Sequence, residues 1–151
     1  MVPKKIYLDV DTGVDDALAL LLAARSPDLD IRGVTCVSGN VPVNLVVRNT
    51  LDVLEVAGAS HVPVARGMDI PLLETMVNAA EIHGKNGLGG IEIAQSASEP
   101  LSVHAVEFLR RELTDVSEPI TIVALGPLTN IATLIRAYPE VVSKIDEIVV
   151  M

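Results

Sequence analysis

Asp9-Val10-Asp11-Thr12-Gly13-Val14-Asp15-Asp16 is the stretch that decides how this chain is read. It grows out of the apolar run Lys5–Val10, a short strand that stops abruptly at acids and a glycine. It runs into Asp16–Arg25, rich in Ala and Leu and apolar almost all round, which reads as a buried helix ended by Pro27. Side chains two apart on a strand point the same way, so Asp9 and Asp11 project together at the strand's carboxyl end. Asp15 and Asp16 follow at the start of the helix. Four carboxylates within eight residues repel one another; at about 4 Å and an effective dielectric near 20, each like pair costs roughly 4 kcal/mol. Such a cluster either takes up protons or holds a cation. Thr12-Gly13-Val14-Asp15 also matches a capping box, and acids favour a helix N-terminus. Capping accounts for Asp15 and leaves Asp9, Asp11 and Asp16 unexplained. An all-oxygen donor set favours Ca²⁺ or Mg²⁺ over zinc, and an irregular carboxylate-rich mouth favours Ca²⁺.

Beyond this stretch the alternation of strand and helix continues. Ile31–Val37 reads as a second strand, closing at Ser38-Gly39-Asn40, and Pro42 fits the first turn of a helix to about Val56 with Gly58 beyond it. Val62–Ala65 is a short third strand. From Gly67 to Pro100 the periodicity weakens, apart from a helical patch around Glu74–Ile82 that leads into the turn-rich His83-Gly-Lys-Asn-Gly-Leu-Gly-Gly90. Ser102–Thr114 is an amphipathic helix, Ile120–Leu125 a fourth strand, Gly126-Pro-Leu-Thr-Asn130 the opening of a helix to about Ala137, and Ile145–Met151 a fifth strand. Repeated strand–helix units imply right-handed crossovers and an open, mostly parallel sheet with helices on both faces, an α/β fold of Rossmann-like topology. The last strand has no helix after it to cover the sheet, which suggests the N-terminal portion of one larger domain or a core completed by another copy.

Composition narrows the partners. The chain of 151 residues is half hydrophobic with 2% aromatics, so its core is built from Val, Ile, Leu and Ala, as in strands buried on both faces. A net charge of −9 speaks against binding nucleic acid or an anionic membrane surface. One cysteine, Cys36, sits in an apolar run and reads as a buried, inert thiol. No signal peptide and no spanning segment is apparent, so the cytoplasm is the expected compartment.

Two more strand ends bring polar groups to the same rim. Asn40 offers an amide after the second strand; its ordinary role is in a turn. After the fourth strand, Gly126-Pro127 bends the backbone ahead of Thr129, where a freed main-chain oxygen suits a hard cation. Strand carboxyl ends in open α/β sheets form the ligand crevice. His83, in its glycine-rich setting, is a candidate pocket residue, whereas His61 and His104 carry no such context.

The aspartate stretch with Ala17, together with Ser38-Gly39-Asn40-Val41, His83-Gly84-Lys85-Asn86-Gly87-Leu88-Gly89 and Leu125-Gly126-Pro127-Leu128-Thr129-Asn130-Ile131-Ala132, resembles the inosine–uridine-preferring nucleoside hydrolases, in the family's order along the whole chain. The resemblance implies hydrolysis of the N-glycosidic bond of a ribonucleoside to free base and ribose, as in nucleoside salvage. It implies one Ca²⁺ held by Asp11, Asp16 and the main-chain oxygen of Thr129, with Asp11 as general base for a metal-bound water. Asp15 and Asn40 fall where the family grips ribose hydroxyls, Asp9 where a carboxylate supports the site from behind, Met151 where a methionine lines the sugar pocket, and His83 in the loop that closes over the base. Further copies of the chain, in a dimer or tetramer, are the expected protein partners. Family members are roughly twice as long, and their second half supplies a last aspartate ligand, further ribose contacts and a histidine that serves the leaving base. If these residues were the entire polypeptide, weak metal affinity and little turnover would be expected. Two other readings compete: a haloacid-dehalogenase-like Mg²⁺ phosphohydrolase, which also opens on strand-Asp-x-Asp and places a Ser or Thr where Ser38 stands, and a non-catalytic fragment that works only as an assembly partner.

Overall fold

A computed structural model describes residues 2–75 and 77–151. Its sheet has five strands in the order β3-β2-β1-β4-β5, with β1 Lys4–Val10, β2 Leu29–Cys36, β3 Val64–Arg66, β4 Ile120–Ala124 and β5 Ile145–Val150. All four strand pairings are parallel. The helices are α1 Val14–Arg25, α2 Val43–Ala57, the single turn α3 Ala80–His83, α4 Ala105–Asp115 and α5 Thr129–Ala137, with a 3₁₀ segment at Pro139–Lys144. No helix among the described residues is long and apolar enough to cross a membrane.

Strand alternation divides the core in two. Ile6, Leu8 and Val10 of β1 turn toward α1 and α2, meeting Leu20, Val46, Leu51 and Leu54. Tyr7 turns the other way, toward α4 and α5, and joins Phe108, Leu109, Ile122 and Leu134. The period of two therefore carries Asp9 and Asp11 out on the α4–α5 side. Leu109 is wholly enclosed in that second layer. Truncating it as Leu109→Ala should cost about 2–5 kcal/mol through lost burial and a residual cavity, read as a lower urea midpoint at unchanged slope.

Several expectations are corrected in detail. α1 is not buried all round: Asp16, Leu20 and Ala23 face inward, while Leu18 and Leu22 are 64% and 74% exposed. It lies on the sheet against α2 and leaves its outer stripe uncovered among the described residues. The helical patch expected over Glu74–Ile82 shrinks to Ala80–His83; residue 76 within it lies outside the described residues. α4 begins three residues later than Ser102, because the His104 ring accepts the Val106 N–H at 3.3 Å and caps the helix. α2 does end as expected, with Gly58 left-handed at φ +74°.

Candidate active site

β1 is central, and its neighbours β2 and β4 send their following helices to opposite faces, so the crevice at the carboxyl ends of β1 and β4 is the topological switch point of the sheet. The aspartate turn sits there. The N-cap of α1 is Gly13, one residue later than the capping box expected, so Asp16 rather than Asp15 reaches back to the Gly13 N–H, at 3.1 Å. Thr12 does not cap at all; its hydroxyl lies 2.7 Å from that of Thr50 in α2.

Asp11 Oδ2 accepts the Asn40 N–H at 2.8 Å, and Asn40 Nδ2 lies 3.5 Å from Asp16 Oδ2, so Asn40 bridges the two carboxylates. Gly39 permits this approach, since a Cβ there would collide with the Asp11 carboxylate. Asp9 is fully enclosed, its Oδ1 accepting the Thr35 hydroxyl at 2.5 Å and Asn130 Nδ2 at 2.8 Å. Asp9 Oδ2 and Asp16 Oδ1 are buried with no hydrogen-bond partner among the described residues. Burial pushes the Asp9 carboxyl up to about 7 against the pull of Asn130 and Thr35, with Asp11 and Asp16 adding repulsion. Burial, then the neighbouring Asp11, raises Asp16 to about 6. Asp11 is raised as well, again chiefly by desolvation. Three carboxyls held above their ordinary range, two with an orphaned oxygen, have the donor chemistry a hard cation satisfies. Among the described residues no group of three or more His, Cys, Asp or Glu side chains is placed to hold a metal ion by itself. The residues present thus fit part of a shell, needing main-chain or substrate oxygens to complete it.

Asp15 is half exposed and shares an open cavity with Asp11, Asn40, Leu125, Gly126 and Met151. Met151 is 71% exposed there, its N–H bonded to the Ala124 carbonyl at 3.1 Å. His83 reaches the turn from the other side: its Nδ1 accepts the Val14 N–H at 3.2 Å and lies 3.7 Å from Asp15 Oδ1. With Nδ1 accepting, the neutral ring carries its proton on Nε2, an assignment that follows from the hydrogen bond.

Thr129 is not brought into this group. It is the first residue of α5, and its main-chain oxygen accepts the Thr133 hydroxyl at 2.7 Å within that helix. The backbone that lines the cavity is instead Leu125-Gly126-Pro127, just past β4. Two residues that hold Asp9 escaped the sequence reading. Thr35 is the register partner of Asp9 across β1 and β2, so the parallel pairing, once aligned, points to it. Asn130 lies one place past Thr129; its ring of contacts also takes in the Cys36 carbonyl and the Met68 N–H, and no local pattern announces those.

A parallel α/β sheet with a carboxylate cluster at its switch point is the layout of a ligand-binding or hydrolytic site, and the comparisons with known proteins agree. The model of the inosine–uridine preferring nucleoside hydrolase family matches residues 6–151, and the chain belongs to that family. It is 43% identical over 148 residues to a pyrimidine-specific ribonucleoside hydrolase of Photobacterium profundum, covering 98% of this chain and 48% of that protein. It is 42% identical over 146 residues to a non-specific ribonucleoside hydrolase of Klebsiella pneumoniae, covering 97% of this chain and 48% of that protein. Among solved structures, a purine-preferring ribonucleoside hydrolase from Gardnerella vaginalis superposes with a TM-score of 0.92 at 36% identity, over 98% of this chain and 48% of its own. The chain thus spans about half the length of the relatives it matches. The family match displaces the haloacid-dehalogenase-like alternative, whose scheme gives Asp15, Asp16 and the His83 loop no role.

Proposed function

We propose that this chain carries the catalytic acid cluster of a ribonucleoside hydrolase that cleaves the N-glycosidic bond, with a Ca²⁺ site built on Asp11 and Asp16. The observation that carries it is the pair of orphaned buried oxygens on Asp9 and Asp16 beside Asp11, at the one crevice the topology opens. The main-chain oxygen expected from Thr129 is better sought past β4, where Leu125 and Gly126 line the cavity. A bound Ca²⁺ supplies Lewis acidity toward water and ribose hydroxyl oxygens.

The chain's own residues then do the following. Asp11 takes the proton of the attacking water, its orientation fixed by the Asn40 N–H. Asp15 and the Asn40 amide grip ribose hydroxyls, and Met151 lines the sugar side of the cavity. The anionic surroundings stabilise positive charge developing on the sugar as the bond to the base breaks. His83 presents Nε2–H toward the base, and closure of the His83–Gly90 loop keeps out bulk water. Asp9, sealed behind, supports the cluster. The relatives named above differ in base preference, pyrimidine-specific, non-specific and purine-preferring, so kinship alone does not select a base. Cytoplasmic nucleoside salvage by a homo-oligomer completes the reading, supported by kinship to ribonucleoside hydrolases.

Calorimetric titration with Ca²⁺ and ribose tests it directly. Wild type should bind Ca²⁺, and Asp11→Ala and Asp16→Ala should each weaken that binding at least tenfold. Equal affinity in all three proteins would remove the metal site. A chain that aggregates or is partly folded would favour the non-catalytic fragment instead.

A further inference from the structure

Asn49 is enclosed in α2, 6% exposed, and takes no part in the chemistry described above. Its side-chain amide nevertheless joins two segments of the site that are distant in sequence. Nδ2 donates to the Thr12 carbonyl at 3.3 Å, inside the aspartate turn, and to the Asn86 carbonyl at 2.8 Å, inside the glycine loop. The next residue, Thr50, holds the Thr12 hydroxyl, so consecutive residues of one helix grip the backbone and the side chain of the residue between Asp11 and Gly13.

On the loop side the fit is as close. Gly87 has φ +82°, and a Cβ there would stand 2.8 Å from Asn49 Nδ2 and 3.2 Å from the Val41 methyls. The loop therefore has no side chain at the one place where it lies on Asn49. Asn86 organises the remainder: its Oδ1 accepts the Leu88 and Gly90 N–H groups at 3.0 Å, and its Nδ2 donates to the Ile91 carbonyl at 2.9 Å. The Gly89 N–H bonds to the His83 carbonyl at 2.7 Å, which closes the loop back onto the histidine. The path from Thr12 through Asn49 and Asn86 to His83 is thus continuous, and it meets the turn again where His83 Nδ1 accepts the Val14 N–H.

We infer that Asn49 is a positioning residue, a latch whose single NH₂ group holds the glycine loop against the aspartate turn and so sets where His83 stands. Each of the two carbonyls it serves belongs to a segment with its own footing, the turn through Thr12 on Thr50 and the loop through Leu88 in the core, and the Asn49 amide ties one to the other at the far end from the His83 contact with Val14. Its consequence for nucleoside binding rests on the function proposed above; the latch itself does not.

Asn49→Asp is the sharpest variant, because it keeps the shape and turns the donor into a carboxylate facing two carbonyl oxygens. Asn49→Ala removes the group altogether. Hydrogen exchange of the metal-free chain should show the amides of Leu88, Gly89 and Gly90 exchanging at least tenfold faster in either variant, with β1 and β4 unchanged. Unchanged loop exchange would overturn the proposal. Uniform acceleration, or failure of both variants to fold, would overturn it too, since Asn49 would then be an ordinary core residue. Titrations with uridine and with Ca²⁺ give a second reading: the nucleoside dissociation constant should rise at least tenfold while that of Ca²⁺ moves less than twofold. Equal loss of both would contradict a latch. Wild type that binds neither ligand would count against the proposed function, with the exchange result still deciding the latch.

Discussion

Asp11→Asn is expected to lower nucleoside turnover by about 10³-fold, within the 10²–10⁴ that a positioned general base contributes. The substitution keeps size and shape, and the amide oxygen can still accept the Asn40 N–H that orients Asp11 at 2.8 Å. On the proposed roles it removes the proton acceptor and one charge of the cation site together, so kcat should fall and Ca²⁺ affinity should weaken. Asp15→Asn separates these roles. Asp15 is half exposed and lines the cavity, so its loss should appear mainly as a higher KM. Steady-state kinetics on a purine and a pyrimidine nucleoside, at saturating Ca²⁺, is the measurement. An Asp11→Asn protein within tenfold of wild type would take the base role away from this residue.

The second large effect is on stability. Metal-free protein should be more stable at pH 5 than at pH 8. Below the ordinary carboxyl value of 3.8, Asp9 and Asp16 carry protons folded or unfolded, and neither affects the balance. As pH rises, the unfolded chain ionises while the folded chain keeps the proton on Asp16 to about 6 and on Asp9 to about 7, so stability falls across that window and levels off above it. At about 1.4 kcal/mol per unit, Asp9 alone is worth on the order of 4 kcal/mol. Glu107, which Arg110 and Arg111 hold down to about 2, acts in the opposite sense; it is partly exposed and acts only below its ordinary 4.5, beneath the pH 5 to pH 8 comparison. At the proposed site Ca²⁺ would replace the protons and stabilise by mass action, so its addition should raise the melting temperature far more at pH 8 than at pH 5. Thermal melts in EDTA and in excess Ca²⁺ at the two pH values give all four numbers. Metal-free stability that climbs from pH 5 to pH 8 would show that the cluster is not the strained element it looks to be.

Much of this was legible in sequence because the signals are local. The first four strands are apolar runs that stop at or just before a Gly or an acid, and alternating strands with helices leave few topologies other than a parallel sheet. The aspartate turn was legible for the same reason: its four acids are neighbours in the chain. What could not be read is set by contacts between distant segments. The apolar face of α1 gave no clue that Leu18 and Leu22 point to solvent, because an Ala- and Leu-rich helix has no polar side to mark its outside. Thr129 looked suited to offer its carbonyl, but the helix begins at that residue and Thr133 takes the oxygen. Asn49, Thr35 and Asn130 act on residues 37, 26 and 121 positions away, a range over which no periodicity speaks.

The buried thiol has a practical consequence. Cys36 lies at the end of β2, wholly enclosed, its sulfur 3.4 Å from the Thr50 hydroxyl, and burial pushes its ionisation up to about 12. At neutral pH the reactive thiolate is scarce and sits behind a closed wall, so maleimides and iodoacetamides should pass it by. It is also the sole cysteine of the sequence. A spin label or fluorophore attached through a new cysteine on the glycine loop would therefore report from that place alone, with no native thiol to remove first.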